Sequence, residues 1–170
     1  MSYLYETCLH FRLITPDRQV FPDPEEPERT APVVMVDVPG VEGDFGVLPA
    51  HAPMVATIRP AILTVDPHDE NLKERFVVIG GFAEVSHRKK EEKNPSVKED
   101  EEWATDLTVL AEFAVRLEKF DRSKLTSQIN DAEEDLADAS DQAVRDKLAR
   151  HLDQLKALQA ALSAAPAADH

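Results

Sequence analysis

All five glycines of this chain lie before residue 82, and past residue 112 the only proline is Pro166. This uneven placement restricts the fold more than any other feature of the sequence. Gly and Pro punctuate the chain up to residue 112 into short pieces, whereas the stretch beyond it can run on as helix. The expectation is a sheet domain over residues 1–112, a helical segment over 113–165 and a flexible tail over 166–170.

The short pieces read as strands. Leu9, Phe11 and Leu13 alternate onto one face, the period-2 signature of a half-buried strand. Residues 33–38 form a β-branched run that ends at Pro39-Gly40. Residues 54–58 and 62–65 flank a turn at Arg59-Pro60-Ala61, and residues 106–110 make the last run. The strongest strand signal, residues 76–85, is interrupted by Gly80-Gly81, which points to a bulge or a close backbone approach. Short strands separated by turn signals predict an antiparallel sandwich or barrel. Three polar stretches, near 22–32, 66–75 and 86–104, carry no apolar face and are expected to be solvated loop insertions.

Beyond residue 112 the period changes. Leu125, Ile129, Ala132, Leu136 and Ala139 succeed one another at spacings of 4, 3, 4 and 3, and Val144, Leu148, Leu152, Leu155, Leu158 and Leu162 continue the same grammar. Both are narrow apolar stripes suited to a helix–helix seam. Ser140 and Asp141 are good helix starters, and so short a link permits only an antiparallel hairpin. Acids crowd the first helix (Asp131, Glu133, Glu134, Asp135, Asp138) and bases the second (Arg145, Lys147, Arg150, Lys156). Exposed pairs of this kind contribute only ~0–1 kcal/mol each, so the hairpin is a marginal element able to swing free.

Charge and side-chain inventory exclude several functions. The 33 acids against 19 bases give a formal charge of −14, which argues against nucleic-acid binding and favours basic partners. Cys8 is the one cysteine, so neither an internal disulfide nor a thiolate metal cluster is available, and it reads as an inert packing residue. No basic stretch with a long apolar run opens the chain, and no run of ~18 apolar residues occurs, so neither a signal peptide nor direct membrane insertion is expected. Gly40, Gly43 and Gly46 recur every third residue without the Lys-Ser/Thr that completes a phosphate-cradling loop. The six histidines, His10, His51, His68, His87, His151 and His170, are not at metal-ligand spacing, and Asp66, His68, Asp69 and Glu70 read as a polar turn. No catalytic residue, metal or cofactor is expected. The chain reads as an interaction or regulatory part.

One run is specific enough to name a family. Pro39-Gly40-Val41-Glu42-Gly43-Asp44-Phe45-Gly46-Val47-Leu48-Pro49-Ala50-His51-Ala52-Pro53, entered from the strand ending at Val38, closely resembles the signature of ATP synthase epsilon subunits. Residues 11–16 resemble that family's first strand and turn, residues 76–85 its Gly-Gly strand, and residues 107–112 its last strand before the helices. The resemblance covers nearly the whole chain apart from the three insertions. It implies a flattened β-sandwich of about ten antiparallel strands, then an α-helical antiparallel hairpin.

It further implies a non-catalytic rotor subunit of a bacterial ATP synthase, peripheral on the cytoplasmic side of the cell inner membrane. The implied partners are the gamma subunit, the c-ring of the membrane sector and, through the C-terminal helices, the alpha and beta subunits of the catalytic head. The implied c-ring contact is Glu42, Gly43 and Asp44, an acidic tip complementary to a basic loop. His51 matches the motif histidine near gamma, or alternatively caps and packs within its own turn. Arg145, Lys147, Arg150 and Lys156 would meet acidic loops of the head and inhibit hydrolysis, or alternatively pair only with the first helix. An ATP-binding motif of some members is degenerate here. Asp121 is retained, but Lys124 and Leu125 replace its arginine and alanine. Lysine lacks the planar fork that arginine offers a phosphate, so ATP binding is expected to be weak or absent. Without the resemblance, the same sequence fits a free-standing β-sandwich interaction module that dimerises through the hairpin.

Overall fold

The structure is a computed structural model, and residues 9–27, 32–89 and 103–164 are described. Cys8, the segment 90–102 within the third expected insertion, and the expected tail at 166–170 lie outside the described residues. The strands are β1 (His10–Ile14), β2 (Gln19–Phe21), β3 (Val33–Val38), β4 (Phe45–Val47), β5 (Met54–Thr57), β6 (Ala61–Pro67), β7 (Glu74–Ile79), β8 (Phe82–Lys89), β9 (Trp103–Leu110) and β10 (Phe113–Arg116). Two helices complete the chain, α1 (Arg122–Asp138) and α2 (Gln142–Ala164).

The strands form two five-stranded sheets, ordered β2-β1-β9-β8-β5 and β10-β7-β6-β3-β4. They face each other around Phe11, Leu13, Val36, Leu63, Phe76, Leu107 and Val109. The expected alternation of Leu9, Phe11 and Leu13 holds, since all three are buried in this interior. One pairing departs from the antiparallel expectation: β1 runs parallel to β9, in register from His10 opposite Asp106 to Ile14 opposite Leu110. Strands so far apart in sequence have ample chain between them for a parallel pairing, which a tight hairpin cannot make.

Gly80-Gly81 is a corner between sheets. β7 belongs to one sheet and β8 to the other, and the chain crosses at the two glycines, both at positive φ (64° and 95°). A Cβ at Gly81 would collide with the backbone carbonyl of Leu110, so the backbones meet where no side chain fits. The crossing at Arg59-Pro60 likewise carries the chain from β5 into the other sheet.

The expected insertions and domain boundary shift. The sheet does not stop at residue 112, because β10 pairs antiparallel with β7 through Arg116 opposite Phe76. Residues 66–75 are not loop throughout: β6 runs to Pro67, β7 starts at Glu74, and Glu74 is buried. In the third stretch β8 continues to Lys89 and β9 begins at Trp103. Asp23 in the first is buried too. Polar composition concealed these strand ends and anchors; the burial of Glu74, for one, depends on Arg116, brought in from elsewhere in the chain.

The hairpin folds down onto the sandwich. Leu125, Ile129, Ala132, Leu152, Leu155, Leu158 and Leu162 form a second core with Val77, bordered by Ile62, Ile79, Val115, Leu117, Phe120 and Leu136. The helices therefore cover the outer face of the β10-β7-β6-β3-β4 sheet over β10, β7 and β6. The unbroken apolar run Phe76-Val77-Val78-Ile79 is thereby explained, because its strand is buried on both faces. Asp141 caps α2 by accepting the Val144 amide at 3.0 Å. The stripes are shorter than expected, with Ala139 at the end of α1 and Val144 half exposed at the hairpin's far end.

Candidate docking surfaces

The turn between β3 and β4 is built by its glycines. The Gly43 amide donates to the Gly40 carbonyl at 3.2 Å, and Gly43 sits at φ 136°, open to glycine but strained for other residues. The turn is lashed to the start of the next crossing, with the Val41 amide on the Thr57 carbonyl at 2.9 Å and the Arg59 amide on the Pro39 carbonyl at 3.0 Å. Of its two acids, Asp44 accepts from the Arg59 guanidinium at 2.5 Å, while Glu42 is exposed with no ion pair shown among the described residues. Residues 40–45 and 54–57 together line an open groove of about 520 Å³, with Val41 59% and Val55 69% exposed on its walls. The surface thus presents the Glu42 carboxylate, with no ion pair among the described residues, beside apolar side chains. The sequence marked the 54–58 strand and the turn at Arg59, but nothing in the spacing tied them to the acidic turn.

His51 serves its own loop. Its Nδ1–H donates to the Ala52 carbonyl at 2.8 Å, its backbone carbonyl accepts from His87 Nε2 at 2.8 Å, and its amide closes a turn on Leu48 at 3.1 Å. Pro49 with Ala50 at φ 67° is type II turn chemistry, with a non-glycine at the left-handed position. The Ala50 amide is held by the buried Thr105 hydroxyl at 2.8 Å. The loop is thus fastened to β8 and β9.

The outward face of the β2-β1-β9-β8-β5 sheet is not covered by the helices. Phe82 and Leu110 are directly paired on it, with Thr57 opposite Phe82 and Val55 opposite Glu84. Phe82 and Leu110 remain 44% and 39% exposed, an apolar patch continuous with the wall of the groove.

On the hairpin, the four expected cations differ. Lys156 pairs with Glu133 across the helices at 2.7 Å, and Arg145 donates to the Ala139 carbonyl at 2.8 Å. Arg150 bonds back to the Asp146 carbonyl at 3.2 Å, and Lys147 shows no ion pair among the described residues. Lys147 and Arg150 border a shallow groove with Val144, Leu148 and His151. Asp121 is the N-cap of α1: its Oδ1 accepts from the Ser123 amide and hydroxyl and from the Lys124 amide, at 3.0, 2.5 and 3.4 Å. The Ser123 hydroxyl bond, then the Lys124 amide, holds its carboxyl below the usual aspartate range. Leu125 is buried in the hairpin core, so the residue replacing the motif alanine is spent on packing.

A profile for the beta-sandwich domain of ATP synthase delta/epsilon chains matches residues 8–90. The chain is 38% identical to the ATP synthase epsilon chain of Maricaulis maris over 152 residues, 89% of this chain and 94% of that one. It is 37% identical to the epsilon chain of Afipia carboxidovorans over 150 residues, 88% of this chain and 90% of that one. The chain belongs to the ATP synthase epsilon family. A similar fold lies in the cryo-EM structure of the Euglena gracilis mitochondrial ATP synthase comprising OSCP, F1 and c-ring, at a TM-score of 0.63 and 26% identity, covering 92% of this chain and 82% of that one. The family resemblance read from residues 39–53 is thereby borne out, and in this epsilon-family chain that run spans the acidic turn, β4 and the His51 loop. Among the described residues, no helix is long and apolar enough to cross a membrane, and no group of metal-binding side chains converges.

Proposed function

We propose that this epsilon-family chain is a non-catalytic part of the rotor, bridging the c-ring to the gamma subunit so that ion-driven rotation reaches the catalytic head as torque. The observation that carries this is the acidic turn: a rigidly tied loop presents Glu42 beside an apolar groove at one end of the sandwich. Such a surface suits a basic loop of a c-ring with an apolar neighbour, charge giving orientation and buried area giving affinity. The uncovered apolar face with Val55, Phe82 and Leu110 suits gamma, and His51 acts by holding the adjoining loop in shape. The chain would then sit peripherally on the cytoplasmic side of the inner membrane, held there by its partners.

The hairpin is the modulating element. Lys147, Arg150 and Arg145 are exposed and, among the described residues, pair with no carboxylate, which suits acidic loops of the alpha and beta subunits, whereas Lys156 is already engaged with Glu133. A free-standing module dimerising through the hairpin is disfavoured, because the leucine stripes are spent on the sheet.

The test is re-addition of the full chain to ATP synthase membranes stripped of this subunit. Glu42→Lys should weaken rebinding and lower ATP synthesis, with the loss deepening at low salt where like-charge repulsion is least screened. Normal rebinding and synthesis with that variant would refute the docking role. Charge reversal at Arg145, Lys147 and Arg150 should raise ATP hydrolysis without touching synthesis; unchanged hydrolysis removes the brake. Charge reversal is preferable to deleting the hairpin, since deletion would bare Ile62, Val77, Ile79 and Val115.

A further inference from the structure

Four charged side chains gather where the sandwich hands over to the hairpin. Arg116, the last residue of β10, is 5% exposed and points inward with its guanidinium carbon 5.8 Å from the centre of the Phe76 ring. Its Nη1 lies 3.2 Å from a carboxylate oxygen of Glu74 on β7 and 3.2 Å from one of Glu26. The attraction is Coulombic more than directional, because these three atoms are not aligned as hydrogen bonds. Glu26 has a second task, since its other oxygen lies 3.1 Å from Lys119 Nζ. Glu26 therefore bridges a cation inside the sandwich and a cation on the linker.

The segment carrying Glu26 is itself anchored. Asp23 accepts the Glu25 amide at 3.0 Å through its side chain and the Glu26 amide at 3.2 Å through its carbonyl. Gln19, at the start of β2, donates to the Pro22 carbonyl at 2.7 Å. On the other side of the linker, α1 is capped by Asp121 through amides of the helix's own first turn, so that cap moves with the helix. Hairpin and sandwich have separate cores, one between the sheets and one outside them, and local openings follow such boundaries.

We infer that the Arg116–Glu74–Glu26–Lys119 cluster locks the linker Leu117–Lys119 to the sandwich and sets the pivot of the hairpin at Phe120–Asp121. When the helices leave the sheet, the linker stays behind and the hairpin departs as one capped piece. The first polar insertion thus acts as the clamp of the hinge. This does not depend on what the hairpin meets once released.

Native-state hydrogen exchange on the isolated full-length chain tests it, with no partner needed. The Phe120 amide, which donates to the Leu117 carbonyl at 3.2 Å, reports on the linker. In the parent it should stay protected together with β10 while α1 and α2 open as a set under mild denaturant. Lys119→Met cuts the linker's tie and leaves the buried pairs whole; it should speed Phe120 exchange about two- to five-fold, the scale of a half-exposed ion pair. Glu26→Gln weakens both ties and should speed it about ten-fold, leaving β8 and β9 unchanged. Phe120 opening in step with α1 in the parent, or unaltered exchange in both variants, would overturn the inference.

Discussion

Leu158→Ala is the sharpest perturbation of the hairpin dock. Leu158 is fully buried at the centre of the second core, among Val77, Leu125, Ile129, Leu155 and Leu162. The substitution removes roughly three CH₂ equivalents at ~0.8 kcal/mol each, and an apolar void that water does not fill adds to the loss, making about 3 kcal/mol. That energy falls on the helix–sheet contact and not on the sandwich interior, where Leu63 is equally buried. In native-state hydrogen exchange the amides of α1 and α2 should open about a hundred-fold more readily, since each ~1.4 kcal/mol is a factor of ten. Amides of β8 and β9 should hold their protection. Leu63→Ala should instead weaken both parts, because the helices need the sheet beneath them. Equal loss of protection in helices and strands with Leu158→Ala would show a single cooperative unit and refute the two-core reasoning.

Three other outcomes rest on local geometry. Ala50→Gly relieves a left-handed alanine at φ 67° and should raise stability by about 0.5–1 kcal/mol, read as an increase in Tm; a fall would mean the turn is not strained. Gly81→Ala drives a Cβ into the Leu110 carbonyl and should cost at least ~2 kcal/mol, whereas Gly43→Ala meets open space and should cost only the backbone strain of about 1 kcal/mol; equal losses in chemical denaturation would contradict the corner's tight approach. Asp37 is pushed above the ordinary aspartate value by burial first and by Asp66 next, so its ionised form disfavours the folded state. That penalty is full above the raised folded value and disappears as pH falls below the unfolded one. Asp37→Asn should therefore be more stable than the parent at neutral pH, with the advantage shrinking through the acid range; an advantage that grows on acidification would reverse the assignment.

The two charge-bearing surfaces differ in how much energy they can carry. The Arg59–Asp44 pair is exposed and screened, so its main effect is to engage Asp44 while Glu42 shows no ion pair among the described residues. The Arg116 guanidinium is buried between the carboxylates of Glu74 and Glu26, so its removal takes a compensating charge out of a low dielectric and is felt strongly. The weakly held charges therefore sit at the rim of the sandwich and the strongly held ones at its junction with the helices.

Local chemistry along the chain was enough to mark the longer strands and both helices, but not β2, β4 or β10. Glycine and proline placement separated sheet from helix, period-2 alternation placed Leu9, Phe11 and Leu13 inside, and the 4-3 spacing of leucines marked the hairpin. The run from Pro39 to Pro53 identified the family, and its turns hold Gly43 and Ala50 at positive φ. Only the tertiary structure decided which residues meet. Val77 reads as one more residue of an apolar strand and Val115 falls in the expected helical segment, yet both lie on strands and face outward under the helices, since a strand's two faces are assigned by what packs on them. Glu26, Glu74, Arg116 and Lys119 are ordinary surface charges in the sequence, and folding brings them from three separate segments into one cluster around a buried guanidinium. Propensity acts over a few neighbouring residues, whereas burial and ion pairing act between residues far apart in the chain.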